Sequence, residues 1–189
     1  MCMIKLTEVD IDQALQKIER GLRQYCWIQA NFQRCDVSKD LEFQTQFNSF
    51  YKVKRRSQEW RDHYYALMQS GKGQGITFPE ALGALKDRDG RIEASFASKL
   101  VATLNPAKPV IDQFVLRNFD LRLPYYYVSN REAKTTELYN LLCMKYEVLI
   151  SSQTGRLILA KFHRRYPWAE ITDLKRIDLV LWQIRPAKA

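Results

Sequence analysis

At 189 residues the chain is long enough for one ordinary domain and too short for a large multidomain assembly. Hydrophobic residues make up 46%, aromatic residues 12% and charged residues 27%, which supplies a core and excludes a wholly disordered chain. Thirty Lys and Arg against 21 Asp and Glu leave a formal charge of +9, pointing to a polyanionic partner: nucleic acid first, an anionic membrane surface or acidic protein second.

Only seven glycines and six prolines are present. An all-β chain needs a turn about every 8–12 residues, so the expected class is all-α. Asp10 and Gln13 have capping-box spacing, and Ile11, Leu15, Ile18, Leu22, Tyr25 and Phe32 then recur at helical intervals, predicting one helix over 11–32. Beyond a polar break at Asp36 to Lys39, Phe43, Phe47 and Phe50 share a face. Ser57 caps a third helix with Trp60, Tyr64, Leu67 and Met68 inside, ended by the loop of Gly71, Gly73 and Gly75.

Thr77 and Glu80 form another box, with Pro79 in the first turn and Leu82 and Leu85 on the apolar side. A turn over 86–90 precedes a helix with Ile92, Phe96, Leu100 and Leu104, stopped at Asn105 and Pro106. Ala107, Lys108 and Pro109 make a second turn, and Val115 and Leu116 begin a helix behind Asp112. Pro124 closes the stretch that follows. Leu138, Leu141, Leu142 and Leu149 predict a long helix near 131–150, Leu157, Leu159 and Phe162 another, and Thr172 caps a last one holding Leu174, Ile177, Leu181 and Ile184. About eight helices on short polar connections suit one compact domain over 1–189 with no long linker. The four tryptophans, Trp27, Trp60, Trp168 and Trp182, are expected in its core.

Cys2, Cys26, Cys35 and Cys143 contain no C-x-x-C pair and read as reduced packing thiols. No basic-then-apolar leader opens the chain, and no run reaches the roughly 18 apolar residues of a bilayer span, so a soluble intracellular protein without membrane contact is expected. His63 and His163 are the only histidines and lie apart, giving no zinc pattern. A phosphate-cradling glycine loop is also missing. No metal and no cofactor are therefore expected.

The densest basic tract runs from Phe50 through Tyr51, Lys52, Lys54 and Arg55 to Arg56, continued by Arg61, with aromatics and cations mixed before a helix start. Such a tract suits phosphate contact with base stacking, and equally a solvated face whose aromatics point inward. Tyr125, Tyr126 and Tyr127 follow Pro124 and suit either a pocket lining or packing. Asp112, behind the Pro109 turn, has an equally plain use as a helix cap.

Between residues 50 and 119 the chain resembles the helix-hairpin-helix DNA glycosylases. The likeness rests on the run from Leu82 to Leu100, which includes Gly90, Arg91 and Glu93, and on Lys108, Pro109, Val110, Ile111 and Asp112 followed by Gln113 to Arg117. The resemblance implies a two-lobed helical fold and a base flipped from the duplex into a cleft. It places Asp112 on the family's catalytic aspartate. A carboxylate there would stabilise the oxocarbenium character that develops on the sugar as the N-glycosidic bond breaks. Lys52, Lys54, Arg55, Arg56, Arg91, Lys99 and Lys108 become candidate DNA-backbone contacts, and Tyr51, Trp60 and Tyr125 candidate base neighbours. Two departures refine the expectation. The hairpin turn at Asp87, Arg88, Asp89 and Gly90 keeps one glycine and brings two acids, where the family has two glycines. Glu93 or Ala94 stands where members that also cut the strand carry a lysine, so a monofunctional base-excision hydrolase is expected. The ending from Lys175 to Arg185 is similar to bacterial proteins, which implies a bacterial cytoplasmic setting. Two other readings use the same residues: a non-catalytic helical nucleic-acid-binding protein, and a module that binds an acidic protein.

Overall fold

The structure, a computed structural model, describes residues 6–185, and Cys2 lies outside them. Ten α-helices and no strand occur among the described residues: α1 (Glu8–Lys17), α2 (Glu19–Phe32), α3 (Leu41–Tyr51), α4 (Gln58–Ser70), α5 (Phe78–Asp89), α6 (Ala94–Leu104), α7 (Gln113–Asn118), α8 (Arg131–Ser151), α9 (Gln153–Arg165) and α10 (Asp173–Gln183). None is long and apolar enough to cross a membrane.

Side chains that accept first-turn amides fix most helix starts. Asp40, Ser57, Thr77 and Thr172 cap α3, α4, α5 and α10, and Glu80 closes the box at Thr77. The first box lies between Thr7 and Asp10, three residues earlier than the Asp10 and Gln13 spacing suggests, because Asp10 serves as the reciprocal acid. At the far end of α5, Lys86 to Asp89 remain helical and only Gly90, at φ 68°, turns the chain. The expected turn over 86–90 is thus the last turn of a helix plus one left-handed glycine.

The helix expected over 11–32 breaks at Ile18 (φ −88°, ψ −16°) into α1 and α2. Each half is buried against a different neighbour: α1 packs on α9 and α10, α2 on α3. This break is one reason the count is ten and not about eight. In α8 the buried stripe is Thr135, Tyr139, Leu142, Tyr146 and Leu149, while Leu141 sits off it and is exposed. Its neighbour Leu142 occupies the inward position, since adjacent helical residues point about 100° apart.

Every helix contributes to one buried cluster. Trp60 belongs to it, and Trp27 and Trp182 pack against it, whereas Trp168 is exposed and carries the Arg23 guanidinium over its ring at 4.7 Å. Cys26, Cys35 and Cys143 are free, partly buried thiols whose burial pushes their pKa values up. Beneath α10 lies a fully enclosed ion pair. Lys175 Nζ donates to Asp178 Oδ2 at 2.7 Å, and the Tyr146 hydroxyl donates to Asp178 Oδ1 at 2.7 Å. Burial alone would push the Lys175 ammonium down, but Asp178, with Tyr51 and Tyr25, holds its pKa above the ordinary value.

Candidate functional site

The segment before α7 is stitched to α6 by two serines one turn apart. The Ile111 amide donates to Ser98 Oγ at 2.8 Å, and Ser95 Oγ donates to the Ile111 carbonyl at 2.9 Å. Tyr139, from α8, adds a bond from its hydroxyl to the Pro109 carbonyl at 3.2 Å. These contacts set the position of Asp112, whose Oδ1 accepts the amides of Phe114 at 2.7 Å and Val115 at 3.4 Å. Both cap bonds go to one oxygen, so the cap leaves the other oxygen of the carboxylate over.

Asp112 also lines a cavity of about 440 Å³, within the roughly 300–1,000 Å³ typical of small-molecule pockets. Its apolar wall is Ile18, Phe50, Phe114 and Trp182, with the Phe50 and Trp182 rings 5.4 Å apart. Four cations surround it: Lys17 at the end of α1, Arg20 in α2, Lys52 behind α3 and Arg185 behind α10. None of the four forms an ion pair among the described residues. Lys52 ends α3 in the left-handed region (φ 57°), and the Arg185 guanidinium lies 3.6 Å from the Phe114 ring centroid. Asn118 ties α7 to the end of α10 through bonds to the Leu181 and Ile184 carbonyls, which brings Arg185 across.

Burial raises the Asp112 pKa above the ordinary carboxylate value. The two cap amides work against it, Asp178 adds to it, and Lys99 opposes it. Lys99 is itself pushed down to about 8, chiefly by burial and also by the Arg56 charge, and its amine lies 4.9 Å from the Phe96 ring. The site therefore combines a half-buried acid, an amine of lowered basicity nearby and a strongly cationic rim.

The expected site residues divide into three groups. Asp112 and Lys52 meet in the cavity. Lys54, Arg55, Arg91 and Lys108 are exposed and lie outside it. The remaining cations are occupied. Arg56 pairs with Glu93 at 2.8 Å and packs on the touching rings of Trp60 and Phe96, with centroid distances of 4.9 and 4.6 Å, and Lys99 is half-buried as described. Of the base-pocket candidates, Tyr51 and Trp60 are core aromatics with 1% and 3% exposure and offer no face to a ligand. They lie inward because the apolar stripes of α3 and α4 need them there. Tyr125 is exposed on the connector between α7 and α8 and does not line the cavity.

Lys17, Arg20, Gln24 and Arg185 escape sequence reasoning altogether. On their own helices they look like ordinary solvated faces, and only the break at Ile18 and the return of α10 bring them together. Among the described residues no three His, Cys, Asp or Glu side chains group as a metal site. Compared with family models, with curated proteins and with solved structures, the chain matches none.

Proposed function

We propose that the protein binds duplex DNA and hydrolyses the N-glycosidic bond of a base extruded into the Asp112 cavity, as a monofunctional glycosylase-like enzyme. One observation carries the reading: a half-buried carboxylate, held by its cap on one oxygen only, faces a cavity rimmed by Lys17, Arg20, Lys52 and Arg185. The cations suit the phosphates flanking an extruded nucleotide, and the aromatic wall suits its base. A half-buried carboxylate in such a cavity would stabilise the positive charge that develops on the sugar, more strongly than one in bulk water. The same carboxylate would orient the attacking water. Position 93 carries a carboxylate and position 94 a methyl group, neither of which can form the Schiff base that strand cleavage would need.

The test is incubation with duplexes carrying alkylated, deaminated or oxidised bases. One class of base is expected to be released, with strand cleavage only after heat and alkali. Asp112→Asn keeps the cap but removes the charge, and turnover should fall by roughly a hundredfold or more. Cleavage without alkali would point instead to the Lys99 amine. If no duplex in the panel loses a base, the cap bonds to Oδ1 account for Asp112 by themselves, and the protein is a non-catalytic DNA-binding scaffold.

A further inference from the structure

Three consecutive tyrosines, Tyr125, Tyr126 and Tyr127, stand on the connector between α7 and α8 with 63%, 85% and 70% of their surface exposed. The Asp112 cavity uses none of them. A cluster of large rings left in water marks a surface that meets something. The connector is tied down. The Val128 amide donates to the Tyr125 carbonyl at 3.2 Å, closing a four-residue turn with Tyr126 and Tyr127 at its tip. Arg131 Nε donates to the Pro124 carbonyl at 3.3 Å and fixes the base of the turn to α8. The Tyr125 and Tyr127 rings stack 5.5 Å apart and only 6° from parallel, and Tyr126 meets Tyr127 edge-on at 5.3 Å. Rings ordered before a partner arrives lose little freedom when it binds.

We propose that this turn is a stacking platform for unpaired nucleobases, a second nucleic-acid contact separate from the Asp112 cavity. The proposal rests on the nucleic-acid-binding reading above. A parallel pair of rings is extended naturally by another flat aromatic face, and every base has one, so the platform would be indifferent to sequence. The surroundings favour a polyanion over a protein. Leu123 is the one exposed aliphatic side chain on the connector itself. The exposed charges from the connector into the first turn of α8 are Asp120, Arg122 and Lys134, a net positive set, none of them ion-paired among the described residues. Glu132, the acid nearest on α8, is taken by Lys86 at 2.6 Å.

Three labelled probes separate the outcomes by fluorescence anisotropy: a short oligothymidylate, an abasic oligonucleotide of equal length that keeps the phosphates but lacks bases, and a fully paired duplex. The protein should bind the oligothymidylate at least about fivefold more tightly than the abasic strand, the lower end of what one stacked base contributes. Combined Tyr126→Ala and Tyr127→Ala should abolish that preference without changing the salt dependence, because stacking releases no counterions. Combined Tyr126→Phe and Tyr127→Phe should keep it. All the replaced rings are exposed, and circular dichroism verifies that each variant folds. Duplex binding without any preference for bases over abasic sites overturns the platform and leaves the duplex reading standing. No binding of any probe at low salt removes both. An alanine variant that binds all probes like the parent but changes its oligomeric state assigns the turn to a protein contact and overturns the proposal.

Discussion

Under the proposed function Asp112 would cap α7 and also stabilise a sugar cation, and burial works against the charge that the second duty needs. As a cap it needs only an oxygen acceptor, which Asn supplies about as well. As a stabiliser of a sugar cation it must be ionised, yet burial raises its pKa. The folded state therefore holds the Asp112 proton more tightly than the unfolded chain does. Stability from this residue is fully present below the ordinary Asp value of about 3.9 and is lost as pH rises through the higher folded value. Asp112→Asn removes that loss, so at neutral pH the variant should be at least as stable as the parent, and its advantage should shrink on acidification. Urea denaturation at neutral and acidic pH measures this. A deficit of about 1 kcal/mol or more at neutral pH would make the ionised carboxylate a better cap than Asn and remove the argument for a second duty. In the base-release assay the parent's rate should fall with acid at a pH above that of an ordinary aspartate, because protonation neutralises the group.

At the scale of elements, two glycines inside helices show how context sets the sign of one substitution. Gly155 lies in the first turn of α9, where Ser152 both ends α8 and caps α9. Ser152 Oγ donates to the Leu149 carbonyl at 2.7 Å and accepts the Gly155 amide at 3.0 Å. The sharp turn brings the end of α8 so close that a Cβ on Gly155 would overlap the Leu149 carbonyl backbone. Gly83 in α5 meets nothing nearer than Glu132 Oε1 at 3.9 Å. Gly83→Ala should therefore stabilise the fold by about 0.5–1 kcal/mol through reduced backbone freedom in the unfolded chain. Gly155→Ala should destabilise it by about 1–3 kcal/mol or more, since backbone must move. Chemical denaturation of the two variants compares them directly, and equal effects would mean that the α8–α9 junction relaxes freely.

For the whole molecule, the charge of +9 matters by where its cations lie. Lys17, Arg20 and Lys52 converge on the cavity, whereas Arg56 is neutralised by Glu93. Replacing Lys17, Arg20 and Lys52 together by Ala should flatten the dependence of log affinity on log salt by about 2 to 3, near 0.9 for each phosphate no longer neutralised. Arg56→Ala should leave that slope unchanged and lower stability instead, because it strands the half-buried Glu93 carboxylate. Titrating duplex DNA over a range of salt checks both. An unchanged slope in the triple variant would move the interface away from the cavity.

The helical class, the caps at Ser57, Thr77 and Thr172 and most of the core were legible in the amino-acid sequence, because they depend on residues within a turn or two of each other. Asp112 was legible on the same ground as the cap of a helix behind the Pro109 turn, while its candidacy as a catalytic acid came from the family resemblance. The break at Ile18 and the pairing of Arg56 with Glu93 depend on partners distant in the chain, so local periodicity carries no trace of them, whereas the inward place of Trp60 was already legible in the stripe of α4. The cavity is the clearest case. Its cations come from the ends of α1, α3 and α10 and from the start of α2, each an ordinary exposed charge on its own helix. Only the packing of α10 against α7 and α1 makes them one site around Asp112, because charges cooperate through space and not along the chain.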